Sequence, residues 1–296
     1  ELMQQARNED PVPSKAIQIT GGEPTVREDL IEIIEMADEE GFTHIQLNSN
    51  GIKLAESVEY CKELREAGVN TVYMSFDGVS KQTDPWAEEH KKAIENMREA
   101  GLGVVLVPVV INGHNMDELA DIIEYAKENI DTVRGVNFQP VAFTGRITNL
   151  TEEQRKEERV DYAKMINRIE QDLDGQIKED DWYPVPFVYP VSKLIENLKN
   201  ERQVEFTANP SCGGATYVFV EDGEVSRVLI FILKRETILE SRSVDGDEVR
   251  VVGFVVDDLV VLIVKSADVS TRAIDVCARV IVLKLVLERA SVILDI

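Results

Sequence analysis

The chain has 296 residues, 44% hydrophobic and 29% charged, values of a globular protein that can bury a core. Its net charge of −23 excludes binding to nucleic acid or anionic lipid by charge alone, and no apolar run reaches the ~18 residues that would span a bilayer. Three distant cysteines (Cys61, Cys212, Cys277) and three isolated histidines (His44, His90, His114) form neither a disulfide framework nor a zinc motif, which points to a reducing cytoplasm.

Residues 1–9 read as the end of a helix. A short apolar strand over 16–19 follows, then a helix over 26–40 with Leu30, Ile33, Ile34 and Ala37 on one face, stopped by Gly41. The same alternation continues with a strand over 44–48, a helix over 54–67 stopped by Gly68, and a strand over 71–76. A helix over 87–100 ends at Gly101, and a strand over 103–107, a helix over 116–129 and a strand over 133–139 complete the series. Short strands alternating with longer helices predict a parallel sheet, and five such units suggest a barrel or part of one. The strands are apolar without strict alternation, as expected where both faces are covered. In such folds the ligand site forms at the carboxyl ends of the strands. That directs attention to 20–25, 48–51, 75–78, 108–112 and 139–145, where the sequence turns polar and glycine-rich.

Beyond these units, 150–173 reads as one charged, solvated helix. The aromatic and proline-rich stretch 182–190 reads as a rigid packed loop or the lining of an apolar channel. The composition then changes. Residues 226–296 hold 10 of the 32 Lys+Arg and 11 of the 55 Asp+Glu, leaving 22 and 44 for 1–225. The tail has 16 Val and no Pro, Asn, Gln, His, Met, Tyr or Trp. Two readings stand: a small β-rich domain, or a segment read in a shifted frame after about Val225. Three parts are therefore expected, 1–147, 148–225 and 226–296.

The stretch Gly21-Gly22-Glu23-Pro24, between a strand and a helix, resembles a motif of the radical S-adenosylmethionine (SAM) superfamily. The resemblance implies that Gly21, Gly22, Glu23 and Pro24 hold the methionyl amino group of SAM, a strand-end carbonyl and a carboxylate accepting from its ammonium. Asn48-Ser49-Asn50-Gly51 and Ser75-Phe76-Asp77-Gly78 resemble the next two strand-end signatures, which places Asn48, Asn50, Ser75 and Asp77 against SAM. Pro108 and Gln139 then lie near adenine and substrate. The fold implied is α/β, a partial (β/α)6 barrel lacking its first strand and cluster loop, followed by a C-terminal segment. The family's [4Fe-4S] cluster is held by Cys-x3-Cys-x2-Cys, a motif this sequence does not contain, so its ligands are expected outside this chain. Cys212, before a hairpin with Asp222-Gly223 at its turn, resembles the start of an auxiliary-cluster module and would be an iron ligand; the alternative is a buried thiol.

Residues 18–30, 101–108 and 134–146 look like the archaeal tetraether lipid synthase branch of the superfamily. That resemblance implies hydrogen abstraction from an isoprenoid lipid chain by a 5′-deoxyadenosyl radical, for carbon–carbon coupling. The implied partners are a small-molecule or lipid substrate, an electron donor and, through the lipid, a peripheral membrane contact; no nucleic acid is expected. The alternatives are a peptide- or cofactor-modifying enzyme of the same superfamily, and a non-catalytic fragment or binding module.

Overall fold

The computed structural model describes residues 1–10, 13–143, 150–185 and 213–216, together with strands at 218–221, 224–234, 252–256 and 259–265. The chain divides into two compact units, 1–168 and 169–296.

The first unit opens with α1 (Leu2–Arg7) and β1 (Ala16–Ile19), followed by α2 (Leu30–Glu39), β2 (His44–Ser49), α3 (Ile52–Glu56), α4 (Val58–Ala67) and β3 (Val69–Ser75). It continues with α5 (Ala87–Ala100), β4 (Gly103–Val107), β5 (Val109–Val110), α6 (Leu119–Glu128), β6 (Val133–Val136), β7 (Gln139–Pro140) and α7 (Glu152–Glu158). Strands β1, β2, β3, β4 and β6 form one parallel sheet in that order. The order never reverses, so crossovers of a single hand lay the connecting helices α2 to α6 on one face of the sheet. This is the winding of a barrel rather than of a doubly wound sheet, and it is an α/β fold of the expected class.

One covered face changes the expected strand pattern. In β2 burial alternates strictly: Ile45, Leu47 and Ser49 are buried, while His44, Gln46 and Asn48 are not. Ile45, Leu47, Val72, Met74, Val104, Leu106 and Val133 face the helices, where they pack with Leu30, Ile34, Leu64, Ile94, Met97 and Ile122 in one core. The opposite face carries Gln18, Asn48, Tyr73 and Ser75. The expectation of two covered faces is thus corrected for β2 and β3, which give one face to the core and a polar face to the cleft.

Helix boundaries follow local chemistry. After Pro24–Val26, a turn of 3-10 helix, α2 starts only at Leu30, later than the 26 expected. The helix expected over 54–67 is broken at Ser57, which is extended and caps α4 by accepting from the Tyr60 N–H. The helix expected over 150–173 is likewise two, α7 and α8 (Tyr162–Asp172), with α7 opened by a capping box between Thr151 and Gln154. The last strand stops at Val136, but its pairing continues: the N–H groups of Asn137, Gln139 and Val141 donate to Leu106, Pro108 and Val110. Pro108, without an N–H of its own, interrupts the ladder on the β4 side and separates β5 from β4.

In the second unit β8 (Tyr183–Pro184) pairs antiparallel with β9 (Gly214–Ala215). Strands β10 (Val218–Glu221), β11 (Glu224–Lys234), β12 (Val252–Val256) and β13 (Leu259–Lys265) form an antiparallel sheet ordered β10-β11-β13-β12. Cys212, Cys277, residues 186–190 of the aromatic stretch and residues 266–296 lie outside the described residues.

Candidate active site

The carboxyl ends of the parallel strands enclose a cleft of about 440 Å³. β1 and its exit supply Gln18, Thr20, Gly21, Gly22 and Glu23; β2 and its exit supply Asn48, Ser49 and Asn50. Tyr73 and Ser75 come from β3, Val107 from β4, and Asn137 and Gln139 from the chain after β6. The alternation of the strands explains the choice, since positions two apart share a face.

Glu23 ties the first two strand exits together. Its Oε1 accepts from the Thr25 N–H (3.1 Å), the Thr25 hydroxyl (2.6 Å) and the Ser49 hydroxyl (2.9 Å). Its Oε2 accepts from the Asn50 N–H at 2.7 Å. Ser49 Oγ in turn accepts from the Gly51 N–H at 3.0 Å. Lys53 Nζ donates to the Thr25 carbonyl at 2.8 Å while stacked on the Tyr60 ring, which fixes the turn from outside. The carboxylate expected to receive a ligand ammonium is therefore already occupied by four protein donors. Gly21 and Gly22 remain open: a Cβ on either would meet nothing within 4 Å, and Gly21 has φ +156°. Among the described residues no hydrogen bond reaches the carbonyls of Gly21 and Gly22, so these backbone oxygens are open acceptors in this turn, beside Glu23 Oε2 with its single donor.

The floor is a chain of uncharged groups. Gln18 Nε2 donates to Asn48 Oδ1 at 3.0 Å, and Asn48 Nδ2 donates to Thr20 Oγ1 at 3.3 Å. Asn50 Oδ1 accepts from the Ile52 N–H at 3.0 Å, closing the turn at Gly51.

A second knot fixes the exits of β3 and β4. Asp77 Oδ1 accepts from the Val109 N–H at 2.8 Å, and buried Asn115 donates to the carbonyls of Asp77 (2.8 Å) and Val109 (2.9 Å). Glu118 accepts from the Val79 N–H and the Ser80 and Thr83 hydroxyls. Burial opposes the Glu118 charge, but these bonds outweigh it and hold its carboxyl below the usual range. Burial pushes the Asp77 carboxyl up, only partly offset by the Val109 bond.

Of the residues proposed from sequence, Gly21, Gly22, Glu23, Asn48, Asn50, Ser75 and Gln139 line the cleft. Three others stand elsewhere. Pro24 is buried in the turn behind Glu23. Pro108 is buried and, next to Val107, points to the other face. Asp77 is half-buried, its Oδ1 bonded to the Val109 N–H. Gln18, Thr20, Ser49, Tyr73, Val107 and Asn137 were not singled out, although period-two spacing from Asn48 and Ser75 reaches Tyr73 and the partners of Gln18.

Residues 1–126 match the family described as the radical SAM superfamily. This stretch is a radical SAM superfamily domain, and the family works with SAM and a [4Fe-4S] cluster. Among characterised proteins, the chain is 46% identical over 239 residues to a 7,8-dihydro-6-hydroxymethylpterin dimethyltransferase of Methanocaldococcus jannaschii, covering 78% of this chain and 46% of that one. It is 26% identical over 210 residues to the mitochondrial GTP 3′,8-cyclase of Arabidopsis thaliana (68% and 47% covered), and 33% identical over 142 residues to a GTP 3′,8-cyclase of Peptoclostridium acidaminophilum (45% and 43%). The chain spans about half the length of the curated relatives it matches.

The cleft fits SAM in chemistry: open glycine backbone for an ammonium, and amide and hydroxyl groups for a ribose and a carboxylate. The described residues do not fit the cluster. They contain no group of three or more His, Cys, Asp and Glu side chains that could hold a metal ion. Cys61, on α4, is buried, its thiol donating to the Leu54 carbonyl and pushed up to about 11 by burial.

Proposed function

We propose that this chain carries the SAM- and substrate-binding part of a radical SAM enzyme acting on a neutral, nitrogen-rich heterocycle of the pterin type. Bound SAM would supply the 5′-deoxyadenosyl group for hydrogen abstraction; the residues of this chain would hold and orient. In this reading the Gly21 and Gly22 carbonyls take the methionyl ammonium, and Asn50 and Ser75 take the polar rim of the nucleoside. The Gln18–Asn48 pair and Gln139 present amide donors and acceptors to the substrate.

The observation that carries the substrate class is the lining itself. Among the described residues its one formal charge is Glu23, and that carboxylate already takes four protein donors. Amides and hydroxyls match the alternating donors and acceptors of a pterin edge. They offer no cation to a triphosphate, which makes GTP the poorer match despite the cyclases among the relatives. An isoprenoid chain, expected from the tetraether synthase resemblance, would find Val107 as the single aliphatic side chain of that lining. The relative at 46% identity, whose name specifies a pterin, supports the same choice.

Isothermal titration of the purified chain tests this reading. SAM should bind, and 7,8-dihydro-6-hydroxymethylpterin should bind in its presence, while GTP and an isoprenoid ether lipid in detergent give no heat. Binding of GTP or the lipid without binding of the pterin overturns it.

A further inference from the structure

Behind the cleft lies a buried polar pair whose role packing alone does not explain. His90, on α5, and Asp84, just before it, are 3% and 2% exposed. His90 Nδ1 lies 2.6 Å from Asp84 Oδ2, and Nε2 lies 2.9 Å from the carbonyl oxygen of Asn50. Asp84 Oδ1 accepts from the Trp86 N–H at 2.9 Å, which orients the carboxylate. A carbonyl oxygen only accepts, so Nε2 carries its hydrogen, and the short Nδ1–Asp84 contact holds a proton between the two groups.

The backbone of Asn50 is thus held at both ends. Its N–H donates to Glu23, and its carbonyl accepts from His90. Its Oδ1 is taken by the Ile52 N–H, so the side-chain NH2 is what Asn50 has left to present. The turn has no slack: Gly51 has φ +78°, and a Cβ there would come 2.6 Å from Met74 Sδ and 3.2 Å from His90 Cδ2. An apolar side chain could fill the space of His90 more cheaply, because a buried polar pair returns little net stability. What an apolar residue could not do is grip the Asn50 carbonyl.

We propose that the His90–Asp84 pair is a positioning device that fixes the Asn50 turn, and with it the Asn50 amide, toward the ligand cleft. The inference rests on the reading of that cleft as the SAM site for its consequence, though not for its geometry. His90 acts only through Asn50.

The test compares His90→Leu and Asp84→Asn in the full chain, by amide NMR without ligand and by SAM titration. In Asp84→Asn the new amide can donate to Nδ1 and leave the Nε2 hydrogen on the Asn50 carbonyl. We expect its Asn50 side-chain and Gly51 and Ile52 backbone signals to stay in place, with SAM affinity within about threefold of wild type. In His90→Leu those signals should move while the Val109 and Asn115 amides, in the other knot, do not. SAM affinity should fall roughly tenfold, the scale of one charge-assisted hydrogen bond. Asn50→Ala should weaken SAM binding too, and adding His90→Leu to it should bring no further loss, because both act through one group. If His90→Leu does not fold, Asp84→Ala takes its place in the comparison. Unmoved Asn50 signals, or additive losses in the double variant, overturn the device even where SAM binds. Failure of the wild-type chain to bind SAM removes the site reading, and the ligand-free spectra still decide the device.

Discussion

Glu23 stands in the cleft, yet both of its oxygens belong to the protein. It joins the Thr25 turn after β1 to Ser49 and Asn50 after β2, so its loss should be felt first as stability. In Glu23→Gln one oxygen becomes an NH2 that faces donors and cannot accept. We expect a loss of about 1–3 kcal/mol, read as a lower urea midpoint at unchanged slope. Asp77 behaves in the opposite sense. Burial raises its carboxyl above the ordinary value, so folding disfavours its charge, and it detracts from stability once the pH exceeds the usual carboxylate range. Below that range the group is protonated in both states and the deficit vanishes. Asp77→Asn keeps an oxygen for the Val109 N–H and removes the charge. Its melting temperature should therefore match or exceed wild type at pH 7, with the difference shrinking toward pH 3. If Asp77 instead touches SAM, as the sequence resemblance implied, the same variant loses affinity in titration.

At the scale of elements, the strand–helix alternation was legible because apolar spacing and glycine stops report the same boundaries: Gly68 and Gly101 end α4 and α5 with positive φ. What was not legible was how many sheet faces are covered. An apolar run such as 103–107 looks the same in either case, whereas Gln18, Gln46, Asn48 and Tyr73 show the polar face only once register brings them side by side. The bonds that Glu23 makes to the protein were not legible for a related reason. A motif fixes which residues meet, but four competing donors can be counted only in three dimensions. The Gly51 turn joins β2 to α3 and shows the same dependence. Gly51→Ala places a Cβ in a left-handed conformation and against Met74 and His90. The backbone term alone is about 1–2 kcal/mol, and the close contacts add to it. A fall in urea midpoint corresponding to more than about 2 kcal/mol is the expected result, against a smaller fall for Gly101→Ala, whose Cβ would meet nothing within 4 Å and leaves only the same backbone term of about 1–2 kcal/mol.

For the whole molecule, composition and contacts divide the chain at different places. The acidic part ends near 225, but β11 runs from Glu224 to Lys234 across that point and pairs with β10 through Val218↔Arg227 and Phe219↔Ser226. A charge count cannot see such a ladder, whereas the compact units separate at Arg168, inside a stretch that reads as uniformly charged. The buried core cluster lies entirely between Leu30 and Val133, and the cleft lining ends at Gln139. Both that cluster and the proposed site therefore belong to the first unit. A chain ending at Arg168 cuts α8 and removes buried Ile169, Leu173 and Ile177, but it keeps every residue of that cluster and should still unfold in one cooperative transition followed by circular dichroism. It should also bind SAM with the affinity of the full chain, since every lining residue is present. A fragment that folds but binds more than tenfold weaker would mean that residues after 168 complete the ligand site.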